Sequence, residues 1–449
     1  MNAEKLSLAV ERHVEKMNKA YLFMKDNPET GYREWKAQEH LAKEFRALGY
    51  ELTLAGDVPG FYTTIDTGRP GPCVAVLGEL DGLLCPLHPD SDKETFAAHV
   101  CGHNAQAAAL LGLAGVLKEP HMMDGLCGSI RLMLVPAEEL VEMDFREDLK
   151  QKGIIRYPGG KVEFLRRGYF DGVDIALMIH VMINKNGTGR VTKGSNGCII
   201  KKAVFTGRSA HAGADPHKGH NALYAATNAM NTINALRETF EDEKHVRVHP
   251  IILNGGKSVN VIPDCVVMEN QIRAAYVEDI RKINHVVNCA VAAAAAGMNC
   301  GVKLEDQPGY MPRRNNKVLN SVITDAMEEI LESVEYHTDE IQAGCSDIGD
   351  ISCLIPASHP YVGGAIGTSH GADYRIPDYE RCLKEIAQVN AMTLQLLLQE
   401  DGRRAREVIA SFEPVFAGKK EYFEFIDSLY LNVDAVEQQP DGNVLLRLH

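Results

Sequence analysis

No stretch of the sequence approaches the roughly 18 consecutive apolar residues that a membrane-spanning helix requires. The opening MNAEKLSLAVERHVEK is polar and helical in pattern, without the apolar core of a signal peptide. Both absences predict a soluble protein working in the cytoplasm. Paired cysteine spacing is missing too: eleven cysteines lie scattered along the chain, which argues for reduced thiols rather than a disulfide framework. Positive charge is in deficit, with 47 Lys and Arg against 61 Asp and Glu and a net charge of -14. A phosphate surface would be repelled, so nucleic acid and anionic membranes are excluded as partners. An acidic ligand would need its own local arginine.

What is present is ordinary globular composition, 45% hydrophobic and 24% charged, in 449 residues, more than one core accommodates. Up to about residue 193, helical stretches alternate with the apolar runs PCVAVLGEL (72–80), SIRLMLVP (129–136) and DIALMIHV (174–181). Near-continuous apolar strands between helices predict an α/β fold with a mainly parallel, helix-covered sheet. Between 195 and 308 the order becomes β-α-β-β-α-β, the ferredoxin-like arrangement, which reads as an inserted α+β domain. Residues 1–194 and 309–449 then form a discontinuous first domain. The last fifty residues read as a helix and a short strand without assignable chemistry.

Ionisable residues cluster at the strand ends, where ligands of open α/β sheets gather. Glu79 and Asp81 follow the first strand, Glu138 and Glu139 the second, and His180 closes the third. The stretch HVCGHNAQAAALLGLAGVL puts Cys101 and His103 one glycine apart at a helix entrance, where Asn104 alone could cap. Cys101, His103, Glu139, His180 and His370 together are the donor types of a zinc-type site, and a thiolate can bridge two cations. Of the adjacent carboxylates Glu138 and Glu139, one can bind metal while the other faces water as a general base. Taken singly, each residue also has a structural reading: a core histidine, a small buried cysteine, a solvated glutamate. Spacing alone does not bring them together.

The strings GELDGL, HVCGHN, VPAEE, GYFDGVDIALMIH, GRSAHAGADPHKGHNAL, SVNVIPD, QIR and GTSHGADYRIPD, in that order, resemble the amidohydrolase branch of the di-metal aminoacylase and carboxypeptidase metallopeptidases, which includes hippurate, auxin-conjugate and p-aminobenzoyl-glutamate hydrolases. The resemblance runs to about residue 400. It implies a zinc-exopeptidase-like catalytic domain with an inserted lid and dimerisation domain, and two divalent ions, zinc or manganese before cobalt or nickel. It also implies that Cys101 bridges the ions, with His103 and His180 on one and Glu139 and His370 on the other. Glu138 becomes the general base and Asp81 an orienting partner. His211 becomes an oxyanion donor reaching across a homodimer, while Asn260 and Arg273 hold the substrate's carboxylate end.

Three departures stand out: Asn104 where the branch commonly has Asp, the charged segment LVEMDFREDLKQKGIIRYP after the paired glutamates, and the extended loop ELDGLLCPLHPDSDKETF. The charged segment, which leaves directly from the paired glutamates, is expected to border the cleft, and both insertions to bear on specificity. The expected activity is hydrolysis of N-acyl or N-aroyl amino acids to a carboxylic acid and an amino acid. The alternatives are a dipeptidase or carboxypeptidase on the same scaffold, an amidase with Cys101 as nucleophile, and a non-catalytic metal- or ligand-binding relative.

Overall fold

The computed structural model describes residues 3–439 and 443–447, which divide into two compact units. The first comprises Met1–Gly194, Arg313–Glu340 and Asp347–Val415; the second comprises Ser195–Pro312, Ile341–Ser346 and Phe416–His449.

The main elements run β1 (Thr53–Leu54), β2 (Phe61–Asp66), β3 (Cys73–Glu79), α1 (His103–Leu117), β4 (Ser129–Val135), β5 (Ile175–Leu177) and β6 (His180–Ile183). They continue as β7 (Gly197–Thr206), α2 (Ala222–Leu236), β8 (Arg247–Asn254), β9 (Cys265–Ala274), α3 (Val277–Gly297) and β10 (Gly301–Pro308), then β11 (Ala357–Ser358), β12 (Tyr361–Ala365), α4 (Tyr379–Leu398), β13 (Leu431–Gln438) and β14 (Val444–Leu446).

In the first unit the sheet order is β1-β2-β4-β3-β5-β11. β3 runs parallel to β4 and β5, and β5 parallel to β11, while β2 pairs antiparallel with β4. Every residue of β3 is buried, as a strand covered on both faces requires. α1 is buried along its whole length, which is why its sequence is apolar all round rather than striped. It packs on α4 and on helix Val14–Asp26. The contact is close: a Cβ on Gly112 would lie 2.1 Å from Met17 Sδ. Each such glycine costs about 1 kcal/mol of helix propensity, and tertiary packing offsets it.

The second unit has the β-α-β-β-α-β order read from the sequence, with antiparallel sheet order β8-β9-β7-β10-β13-β14. The alternating burial of β7, β9 and β10 matches a sheet with one face under helices, and both α2 and α3 pack on β7 and β9. The reading that assigns 309–449 as a block to the first domain differs from the structure here. β13 pairs antiparallel with β10, setting Val302 opposite Val436, so the chain end completes an edge the four-stranded motif would leave open. Helix Lys419–Asp427 adds buried Tyr422 and Ile426 to this unit. A chain ending at residue 415 is therefore expected to present an unpaired β10 edge and to elute as larger aggregates in size-exclusion chromatography. Unchanged elution would show that the edge tolerates exposure.

Candidate metal centre

The Cys-Gly-His sequence follows from backbone geometry. Gly102, the residue preceding α1, has φ +101, and a Cβ there would lie 2.8 Å from Tyr374 Oη and 3.1 Å from Val181 Cβ. Glycine is required on both counts, and the turn carries Cys101 and His103 on either side. Asn104 does not cap the helix as expected. It is buried inside the first turn, where its Oδ1 accepts from Ala105 N at 3.1 Å.

The ring of His103 is fixed by Asp81. Its Nδ1 lies 2.9 Å from Asp81 O and 3.1 Å from Asp81 Oδ1, both acceptors, so Nδ1 carries a hydrogen and Nε2 is turned away from Asp81. Nε2 is buried and lies 3.2 Å from Glu79 Oε2. His180 is set in the same way, with Nδ1 2.6 Å from Val181 O and Nε2 3.3 Å from Cys101 Sγ. Parallel pairing of β6 with β12 places it opposite Tyr361. On the other side, Glu139 Oε1 lies 3.3 Å from His370 Nε2.

Donor atoms of Cys101, His103 and His180 lie within 4.8 Å of one another, as do those of Cys101, Glu139 and His370, and those of Glu79, His103 and Glu138. Thiol sulfur, imidazole nitrogen and carboxylate oxygen converge on two positions that share one sulfur. With Nε2 of His103 turned away from Asp81 and toward these groups, this donor set fits two divalent ions.

Burial dominates the electrostatics. It pushes the Cys101 thiol up, opposite to the lowered pKa of nucleophilic cysteines. Burial also lowers His180 to about 4. Burial opposes charge on His103, but Glu79 and the groups around it raise the imidazole well above its ordinary value. Glu138 is raised well above the carboxylate range by burial and by the charges of Glu79 and Glu139. A bound cation would reverse that effect.

The glutamate turn is braced by groups that composition did not reveal. Ala137 has φ +56, and its N–H donates to Glu34 Oε1 at 2.7 Å. The inserted charged segment forms helix Met143–Gln151, from which buried Arg146 donates to the carbonyl of Glu139 and, at 2.7 Å, to that of Pro158. The extended loop braces the opposite side: His88 Nε2 bonds Tyr374 O at 2.8 Å and Cys85 Sγ approaches His370 O at 3.9 Å. Lys161 and Asp347 also escaped the sequence reading: helix Gly160–Arg166, GKVEFLR, carries three charged residues in seven, and its sequence does not mark Lys161 as one of a buried pair.

The remaining residues stand in the second unit. His211 Nδ1 accepts from Gly213 N at 3.1 Å and Ala214 N at 3.0 Å, which leaves the hydrogen on Nε2. Asn260 is adjacent, its carbonyl accepting from Ala212 N at 2.9 Å. Arg273 lies apart on β9, opposite Cys198. Its fork is engaged, donating to Gln271 Oε1 at 2.6 Å and to Ala343 O at 3.2 Å.

Residues 191–298 match the model of the peptidase dimerisation domain. Indole-3-acetyl-aspartic acid hydrolase of Enterobacter agglomerans is 28% identical, over 62% of this chain and 70% of that protein. For one of the two p-aminobenzoyl-glutamate hydrolase polypeptides of Escherichia coli the values are 32%, 52% and 53%, so this chain spans about half of that relative's length. The Xaa-Arg dipeptidase of Mus musculus is 27% identical, over 59% and 57%. In structure, a dinuclear metal-binding peptidase of the M20 family from Bacillus subtilis superposes with a TM-score of 0.67 at 18% identity, covering 86% of this chain and 99% of that one.

Gly102 gives the first test of the site. Gly102→Ala should cost about 1–3 kcal/mol, the range for a residue forced into an unfavourable backbone region, measured by denaturant unfolding, with divalent metal content falling in parallel. An alanine variant as stable and as metal-rich as the parent would show that the turn relaxes freely.

Proposed function

We propose that this chain is a member of the M20 peptidase family with a metal-dependent amidohydrolase activity that splits N-acyl or N-aroyl amino acids into a carboxylic acid and an amino acid. The observation that carries this reading is the pair of donor groups sharing Cys101, with Glu138 buried beside them. Zinc or manganese suits the donors best, with cobalt or nickel as further candidates. Two such ions supply Lewis acidity toward a scissile carbonyl and toward water.

The protein's own residues do the rest. Cys101 would hold both ions, with His103 and His180 holding one and Glu139 and His370 the other. Asp81 holds His103 by Nδ1, with Nε2 turned away, and fixes Glu139 through its backbone N–H, with Oδ2 accepting at 2.7 Å. Glu138 takes the proton of the attacking water on its carboxylate and returns it to the leaving nitrogen. His211, with its hydrogen on Nε2, donates to the developing oxyanion. Asn260 and Arg273 hold the substrate carboxylate, Arg273 after turning its fork from Gln271 and Ala343.

The match to a dimerisation domain supports a homodimer, and we place the protein in the cytoplasm. Among the described residues no helix is long and apolar enough to cross a membrane. Similarity to an Xaa-Arg dipeptidase favours one second reading, a dipeptidase on the same centre.

Metal analysis of the purified protein, followed by a panel of acyl and aroyl amino acids and dipeptides with each candidate ion, tests the reading. Glu138→Gln should keep both ions and lose on the order of 10²-fold or more in turnover, whereas Glu139→Gln should lose an ion. Reversed outcomes would exchange the two roles. A metal-replete protein that cleaves none of these substrates would refute the activity.

For His211, His211→Ala should retain metal and lose about 10² to 10³-fold in turnover. Mixing it with Glu138→Gln subunits should restore activity if the donor acts across the dimer, since one site then combines an intact Glu138 with an intact His211. Exchange of subunits without recovery would place the donor within its own chain or remove it from the mechanism.

A further inference from the structure

Glu79 ends β3 at the same edge as the donor groups and is almost fully buried. Its Oε2 lies 3.2 Å from His103 Nε2, the nitrogen turned away from Asp81. Two donors about 2.0–2.1 Å from one ion at a tetrahedral angle stand about 3.3 Å apart. Glu79 therefore lies within ligand range of any ion on His103, and with His103 and Glu138 it forms the third convergent group. A fourth protein ligand there would close the position that a catalytic centre must keep open.

The carboxylate is tethered at both oxygens. Lys161 Nζ lies 2.5 Å from Oε1, and Gln106 Nε2 donates to Oε2 at 3.0 Å. Lys161 is itself wholly buried and anchored from behind. Asp347 Oδ1 lies 2.5 Å from its ammonium, and Asp347 Oδ2 accepts its backbone N–H at 2.9 Å. All four residues belong to the first unit. The lysine has no route to solvent as an alternative partner, so its charge is committed to these two carboxylates.

We propose that Lys161 is a positioning residue whose ammonium occupies the Glu79 carboxylate, weakening it as a ligand of the ion on His103, and so keeps a coordination position open for water and substrate. The inference rests on the di-metal amidohydrolase reading and adds to it a residue that touches neither ion nor substrate. Lys161 and Asp347 thereby act on the centre through a third side chain, as outer partners of metal sites do.

Three variants of the full chain test it: Lys161→Met, Glu79→Gln, and the two combined, which restores the net charge of the parent. Divalent affinity is read by competition with a chromophoric chelator, metal content by elemental analysis, turnover with the best acyl amino acid, and folding by thermal melting. Lys161→Met should bind metal about tenfold or more tightly while kcat falls about 10- to 100-fold, the usual range for an outer-shell partner. Glu79→Gln should keep both ions and kcat within about tenfold of the parent. The combined variant should recover the kcat that Lys161→Met loses.

Loss of an ion in Glu79→Gln would make Glu79 a ligand and overturn the proposal. A Lys161→Met protein with unchanged kcat would do the same, as would a combined variant no faster than Lys161→Met. If Lys161→Met does not fold, the charge-restored variant and Glu79→Gln decide: folded with near-parental kcat supports the proposal, folded and slow refutes it. Failure of the amidohydrolase reading shows separately, as a metal-replete parent without turnover, and the affinity measurements still judge Lys161.

Discussion

One buried carboxylate ties the two halves of the candidate centre together. Asp81 sits just beyond β3, with one oxygen against His103 Nδ1 and the other accepting the backbone N–H of Glu139. Burial works against its charge, yet the His103 ring and the Glu139 N–H hold its carboxyl below the usual range. The same residue fixes an imidazole of one donor group and the backbone of the other. The spacing between the groups is therefore set by a single side chain at a rigid strand end, not by the loops.

Around that hub the structure places its unfavourable conformations where side chains must be aimed. Ala137 and His370 both have positive φ, at +56 and +62, and neither is glycine. Such conformations persist only where surrounding contacts overdetermine them. Glu34 and Arg146 supply those contacts around the glutamates. For His370, the loop residue Cys85 approaches its carbonyl, and its N–H donates to Val100 O at 3.0 Å. The two insertions that the sequence reading ties to specificity thus brace the backbone behind the donor groups.

Much of this is legible in the residues alone. The three apolar runs appear as β3, β4 and β5 with β6, because a strand buried on both faces must be apolar throughout. The inserted motif is equally plain, its alternation and order surviving intact. Donor types can be read from residue chemistry, but their convergence requires the resemblance or the folded chain. Asn104 misleads because capping preference is local, whereas the backbone at Gly102 answers to Tyr374 and Val181, far away in sequence. The chain end misleads for a related reason: β13 belongs where β10 has an open edge, and an open edge leaves no mark in composition.

The least legible feature is the set of counter-charges. Lys161 and Asp347 are 186 positions apart, and Lys161 and Glu79 are 82 apart. No periodicity links such residues, and each taken alone reads as a solvated surface charge. Their burial is intelligible only as a group. Burial alone would strip Lys161 of its proton, but Asp347 and Glu79 hold it as an ammonium. In turn the ammonium, with His103, keeps Glu79 below the usual carboxylate range against the same burial. A centre assembled from many carboxylates needs internal cations before any metal arrives, since like charges in a low-dielectric interior would otherwise protonate or drive the strand ends apart. Lys161 on one side and Arg146 on the other meet that need, and each comes from a helix that follows the paired glutamates in the chain.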